Sequence, residues 1–243
     1  MTVFKKKSCR IIAAICAAVL LMVAACGIYL GDFYRADMVA IESFAAQDIP
    51  MSRLETGDLV FQPEDATSGL IFYPGGKVEY TAYIPLMKAL ASEGILCVLV
   101  KMPGNLAVLD MGAAEGIPEQ FPDIDTWYMA GHSLGGSMAA SYLADHADAF
   151  EGLILLGAYS TADLSDSGLA VLSLYGSEDL VMNREKYAKY RENLPADLTE
   201  TVIDGGCHAY FGMYGTQEGD GTPTITSEEQ IAITAEAIRN LIG

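Results

Sequence analysis

Along most of this chain, apolar residues come in short unbroken runs that alternate with stretches of helical rhythm. Asp58 to Phe61, Gly69 to Tyr73, Ile95 to Val100, Thr126 to Ala130, Gly152 to Leu156, Leu169 to Tyr175 and Leu198 to Ile203 each read as a buried strand. Between them, Tyr80 to Ser92 places Tyr83, Leu86, Met87 and Leu90 at helical spacing, and Gly94 ends it. Leu106 to about Gln120 is a looser helical stretch, a helix follows the turn at Gly131 to Gly135 and runs to about His146, and Asn183 to Asn193 is another. Ser227 to Ile242 closes the chain as an amphipathic helix with Ile231, Ala235, Ile238 and Leu241 on one face; Ser227, with Glu229 and Gln230, supplies its first-turn cap. Strands alternating with helices predict an α/β domain with a mostly parallel sheet covered on both faces, and active sites in such sheets form at the carboxyl ends of the strands.

The start of the chain obeys a different pattern. Lys5, Lys6, Lys7 and Arg10 are followed by about twenty uncharged, mostly apolar residues, Ile11 to Leu30, a run long enough to span a bilayer. The expectation is a transmembrane signal-anchor with its lysines in the cytoplasm and everything from Asp32 onward outside the cell membrane, on the extracytoplasmic side. Val23-Ala24-Ala25-Cys26 also resembles a site where bacterial lipoproteins are cut and lipidated on cysteine, and ordinary signal cleavage after the small residues is the third reading. The predicted division is 1–31 anchor, 32–57 juxtamembrane segment (Tyr34, Met38, Val39, Ile41 and Phe44 suggest a helix) and 58–243 globular domain.

Composition narrows the function classes. A chain of 243 residues with 51% apolar content can bury one good-sized core. With its four basic residues removed, the leader leaves ten basic against 32 acidic residues, a net charge of −22 on the remainder. Such a surface repels phosphate backbones, so no nucleic-acid partner is expected. Cys9, Cys16 and Cys26 belong to the leader; Cys97 in a strand and Cys207 beside a histidine form no disulfide framework. No Cys-x-x-Cys or His-Glu-x-x-His spacing occurs, and neither a metal nor another cofactor is implied.

Candidate chemistry centres on Gly131-His132-Ser133-Leu134-Gly135-Gly136, between a predicted strand and a predicted helix. Gly-x-Ser-x-Gly is the nucleophile-elbow pattern: a hydroxyl is thrust clear of the sheet on a strained turn, so the flanking positions need residues without side chains. A serine nucleophile needs a base, and the base an orienting acid. Of the three histidines, His132 adjoins the serine with a diverging side chain and His146 follows the far end of the helix. His208, in the loop after the last strand, is left as the base. Asp179 in Gly176-Ser177-Glu178-Asp179 is the first choice of acid; Glu178 is a close substitute, Asp163 is within reach from the preceding loop, and Asp204 suits turn-making better.

The order Ser133, Asp179, His208 is that of the α/β-hydrolase fold, and the chain resembles that family. It is especially similar to compact bacterial hydrolases, related to dienelactone hydrolases, that carry an N-terminal membrane segment. The similarity is carried by Phe72-Tyr73-Pro74-Gly75-Gly76, the elbow, Tyr175-Gly176-Ser177-Glu178-Asp179, Gly205-Gly206-Cys207-His208-Ala209-Tyr210-Phe211-Gly212 and Tyr214-Gly215-Thr216-Gln217-Glu218-Gly219-Asp220-Gly221, over roughly residues 58 to 243. Dienelactone hydrolases proper use cysteine where serine stands here. The resemblance implies an oxyanion hole made by the amide of Leu134 and by the turn after the third strand, at Gly76 with Lys77 as neighbour. It implies a serine hydrolase acting on a small carboxylic ester; acyl transfer or amide cleavage by the same residues, and a non-catalytic binding module, are the alternatives.

Many such hydrolases insert a cap after the strand that ends here near Leu156. Gly157 to Gly168 is a short loop rich in Ser, Asp and Gly, so no large cap domain is expected. Ala209 to Thr224 is longer. Tyr210 and Phe211 are the candidate substrate-binding residues, with packing against the final helix as the other reading.

Overall fold

A strand buried on both faces must send apolar side chains both ways, and the central strand of this protein does so. On β3 (Ser68–Tyr73), Leu70 and Phe72 enter one core while Ile71 and Tyr73 enter the other. β4 (Ile95–Leu99) and β5 (Thr126–His132) flank it in parallel, and β6 (Gly152–Leu156), β7 (Ala170–Gly176) and β8 (Thr199–Ile203) continue the parallel run. At the other edge β2 (Leu59–Phe61) pairs antiparallel with β4, and β1 (Met51–Arg53) antiparallel with β2, so the strand order is β1-β2-β4-β3-β5-β6-β7-β8. The computed structural model describes residues 2–44 and 49–243, with side chains in the first helix from Ile15 onward.

Two compact units divide the chain, the second running from Tyr34 to Gly243. The first holds one 30-residue helix, α1 (Thr2–Gly31), whose described apolar side chains, among them Val19, Leu20, Leu21 and Ile28, are exposed. Among the described residues no helix is long and apolar enough to cross a membrane. The described side chains, Ile15 to Gly31, fall short of the about 20 residues that a bilayer core requires. The expected span begins at Ile11, and the side chains from Ile11 to Ala14, like the basic head before them, lie outside the described residues.

Residues expected to form a separate juxtamembrane segment belong to the second unit. Tyr34 bridges Val78, α2 (Met38–Ser43) is capped by Asp37 through the Ala40 amide, and β1 joins the sheet. Residues 45–48 lie outside the description.

Helices cover both faces of the sheet. α3 (Ile84–Ser92) and α6 (Ser227–Ile242) put Leu86, Met87, Leu90, Ile231 and Ile238 into one core. α4 (Leu134–Leu143) puts Ala139, Ala140 and Leu143 into the other. The cap of α6 is one residue earlier than expected: Thr226 accepts from the Glu229 amide while the Glu229 carboxylate takes the Thr226 amide, closing a capping box. α5 (Arg184–Tyr190) starts at Asn183, whose side chain accepts from Lys186. The loose helix expected over Leu106 to Gln120 does not form. Pro103–Asn105, Ala107–Leu109 and Pro118–Gln120 are single 3₁₀ turns, since Gly104, Asn105 and Gly116 take positive φ of 57°, 56° and 75° and Pro118 withholds a donor. The Tyr73 hydroxyl pins this segment, donating to Met111 O at 2.9 Å and accepting from Ala114 N at 2.8 Å.

Register brings the carboxyl ends level. Tyr73 pairs with Gly131, His132 with Leu156, Leu156 with Leu174 and Gly176 with Ile203. The segments after β3, β5, β6, β7 and β8 therefore emerge on one edge. Phe211, beyond β8, is fully buried between that edge and the α3–α6 core. Phe211→Ala should cost about 3–5 kcal/mol of unfolding free energy, the usual range for a buried aromatic. Urea denaturation checks this, with Thr226→Ala, a lost cap, expected to cost about 1 kcal/mol.

Candidate functional site

Ser133 lies where β5 turns into α4, with φ 52° and ψ −120°, a backbone that an L-residue holds only under constraint. Close packing supplies the constraint. A Cβ at Gly131 would stand 2.5 Å from the Gly136 nitrogen, and one at Gly135 would overlap the carbonyl oxygens of Tyr73 and Pro74. Glycine alone lets the helix start lie directly on the strand ends. The Ser133 amide donates to Leu156 O at 2.9 Å, and its carbonyl accepts the Ser137 amide at 3.1 Å.

Asp179 and His208, from the loops after β7 and β8, meet in the interior at 1% exposure each, with Nδ1 of His208 2.8 Å from Oδ2 of Asp179. The other carboxylate oxygen accepts from the Val181 and Met182 amides at 3.0 and 2.8 Å, which fixes the acid from behind. His208 Nε2 is buried with no hydrogen-bond partner among the described residues, so Ser133 does not bond to it in this structure. Such a nitrogen is a ready acceptor, and bonds of this kind are often long until substrate arrives. Gly157 passes across the pair: a Cβ there would come within 2.9 Å of His208 Nδ1 and 3.1 Å of Asp179 Oδ2.

The alternative acids lie elsewhere. Glu178 accepts from the Ser177 hydroxyl, Asp163 is exposed and held below the ordinary carboxylate value by its bonds from Ser165, and Asp204 is exposed. His146 stacks on Tyr142 at the far end of α4. His132 points inward, bonded through Nδ1 to the Tyr83 hydroxyl at 2.7 Å, with its ring centre 4.5 Å from that of His208. Burial first, and then the neighbouring His208, hold it well below the ordinary imidazole value; the His208 backbone opposes them without completing a bond to Nε2. His132 is thus a neutral ring at neutral pH.

The amides of Gly76 and Leu134 have no protein partner among the described residues. A Cβ at Gly76 would touch the Leu134 side chain at 2.9 Å, so the two residues are neighbours. The Lys77 amide is already given to Asn105 O at 2.8 Å. A cavity of about 250 Å³ adjoins Ser133, lined by Leu134, Ser137, Ala158, Tyr159, Met182 and Asn183 among others. Neither Tyr210 nor Phe211 lines it. Phe211 is core against the His132 ring (5.5 Å between centres), because the short turn Ala209–Phe211 carries it under the histidines. Among the described residues no group of three or more His, Cys, Asp or Glu is placed to hold a metal ion.

Sequence reasoning missed the residues that grip the base loop. Gln230, buried on α6, accepts from the Cys207 amide at 2.9 Å and donates to the Cys207 carbonyl at 2.8 Å. Asp220 accepts from the amides of His208 at 3.2 Å, Ala209 at 2.8 Å and Gly221 at 2.9 Å. A buried glutamine on an apolar helix face was the available signal for the first, and an aspartate between two glycines for the second.

Comparisons with known proteins agree with this architecture. No curated protein sequence matches the chain. A predicted CIB-like hydrolase from Thermoplasma acidophilum superposes with a TM-score of 0.58 at 16% identity, over 79% of this chain and 98% of that one. Est1E from Butyrivibrio proteoclasticus gives 0.57 at 14% identity, over 82% and 98%. The dienelactone hydrolase from Anabaena variabilis gives 0.54 at 13% identity, over 81% and 94%. At such identities the likeness is one of fold. The sequence profile of the alpha/beta hydrolase family matches residues 69–232, and with that match over most of the chain the protein belongs to the alpha/beta hydrolase family.

Proposed function

We propose that the protein is a serine hydrolase that cleaves small carboxylic esters through an acyl-enzyme, with Ser133 as nucleophile, His208 as base and Asp179 as its orienting acid. The observation that carries this reading is the buried 2.8 Å bond between His208 and Asp179, on the same edge of the sheet as a serine held in a left-handed backbone. Ser133 Oγ attacks the carbonyl carbon as its proton passes to His208 Nε2, and Asp179 stabilises the imidazolium through Nδ1–H. The Gly76 and Leu134 amides, with the positive end of α4, receive the oxyanion. The proton then goes to the leaving alcohol, and water, activated by the same histidine, releases the acid. A cavity of about 250 Å³ favours a short acyl group.

Ser133→Ala should lose all labelling by a fluorophosphonate probe and retain less than about a hundredth of the turnover of p-nitrophenyl acetate. His208→Ala should fall to a comparable level, since such residues act as a unit. Labelling of Ser133→Ala, or an unlabelled wild type, sinks the assignment.

Cysteine chemistry is not part of the proposal. Burial, with help from the charge of Asp220, pushes the Cys207 thiol up to about 12, and burial also raises Cys97. Thiolate is the reactive form, so iodoacetamide at pH 7.5 should leave the buried Cys207 unmodified and the rate unchanged. A matching loss of rate and of free Cys207 would overturn this.

An extracytoplasmic location is also proposed, on the basic head and apolar run of residues 5–30 and the exposed apolar side chains of α1. Mass spectrometry of the mature N-terminus, with protease added outside intact cells, tests it. Protection of the domain in intact cells with a retained N-terminus would refute it.

A further inference from the structure

The segment that leads into the second unit grips the proposed oxyanion turn. Gly75 to Val78 is a tight turn closed by Val78 N–H on Gly75 O at 3.2 Å. Its third residue, Lys77, has φ 59°, the backbone that a type II turn requires and that normally falls to glycine. A lysine there is strained and persists only where its surroundings fix both of its peptide groups. They do so here: its N–H goes to Asn105 O, and its C=O accepts the Tyr34 N–H at 2.8 Å. The Tyr34 carbonyl in turn accepts the Glu79 amide at 2.8 Å, and the Glu79 carboxylate takes the Ala36 amide at 3.1 Å. From the far side Tyr34 is itself held, since its hydroxyl accepts the Glu218 amide at 3.1 Å and its ring packs on Tyr214. Asp37 N–H adds a bond to Met213 O at 2.9 Å.

We propose that Tyr34 is a positioning residue for catalysis: its main chain holds Lys77 in the left-handed conformation that leaves the Gly76 amide unengaged and beside Leu134. Residues 34–37 are then part of the active-site framework. The inference rests on the reading of Gly76 as an oxyanion donor. Such a donor acts on the transition state more than on bound substrate, so loosening the turn should lower kcat and leave KM nearly unchanged.

The test uses the full chain. Tyr34→Pro lacks the N–H that holds the Lys77 carbonyl. It should lower kcat on p-nitrophenyl acetate at least tenfold with KM within twofold, since complete loss of such a donor costs about a hundredfold to a thousandfold. Hydrogen exchange of a peptide spanning residues 75–79 should quicken at least tenfold. Adding Lys77→Gly should restore most of kcat, because glycine takes positive φ without strain and no longer needs the strap. Unchanged kcat, or a loss that Lys77→Gly does not recover, overturns the proposal in favour of a plain structural role. Should Tyr34→Pro not fold, Glu79→Ala releases Ala36 alone and carries the same test: a few-fold loss of kcat at constant KM supports the proposal and an unchanged kcat refutes it. If the wild type neither labels nor turns over ester, the enzymatic reading fails, and the exchange measurement alone then judges the strap.

Discussion

The turn between β5 and α4 exists because backbone can touch backbone there. With side chains at Gly131 and Gly135, the start of α4 could not lie against the carbonyl oxygens of Tyr73 and Pro74, and Ser133 could not be held at φ 52°. That contact does three things at once. It aims the serine out of the sheet, brings the unbonded amide of Leu134 beside Gly76, and seats the positive end of the helix where an oxyanion would develop. The rest of the edge is arranged around it by register. Gly157, Asp179 and His208 follow strands that end level with β5, so three loops bring these residues together without any long excursion.

A buried histidine beside a buried carboxylate is costly unless their other polar atoms are satisfied, and of the side-chain polar atoms of this pair only His208 Nε2 lacks a partner among the described residues. Two amides from the acid's own loop take the second oxygen of Asp179. Gln230 and Asp220 grip the main chain on either side of the His208 ring, one from the final helix and one from the tail loop. His132 fills the space below as a neutral ring tied to Tyr83, and Tyr83 also takes the Gly75 amide at 3.1 Å. The turn at Ser133 and the turn that starts at Gly75 are thereby linked through one buried hydroxyl.

The meeting of His208 with Asp179 and the sharp turn at Ser133 could be anticipated from the sequence because each residue is bound to a short-range pattern: a glycine-flanked serine, a histidine past the last strand, an acid past the one before. The strands could be read for a similar reason, since runs such as Leu70–Tyr73 and Leu96–Leu99 have no polar face to hide. What escaped was set by contacts distant in sequence. Tyr210 and Phe211 read as pocket wall because nothing local says that a 3₁₀ turn will carry Phe211 beneath His132. The stretch from 106 to 120 has enough apolar residues for a helix, but Gly104, Asn105 and Gly116 bend it, and the Tyr73 hydroxyl, more than thirty positions away, decides where it settles. Tyr34 reads locally as part of a juxtamembrane helix because its partners, Lys77, Glu79 and Glu218, lie far away in sequence.

Charge and shape also bear on what the site admits. The remainder beyond the leader carries −22, Glu178 adjoins Asp179 and Asp220 holds the His208 and Ala209 amides, so an anion approaching this edge would meet an unfavourable field. The cavity wall mixes Ala158, Tyr159 and Met182 with Ser137 and Asn183, and the Ser137 hydroxyl is already given to Tyr159 O at 2.8 Å. On the proposed reading, a neutral ester with a small acyl group would lose little by entering such a space of about 250 Å³. The loop from Gly157 to Gly168 is short, and it contributes Gly157, Ala158 and Tyr159 to the cavity wall. On the same proposed reading, selection falls on the walls of the cavity itself, Met182 among them, whose backbone amide is fixed by Asp179.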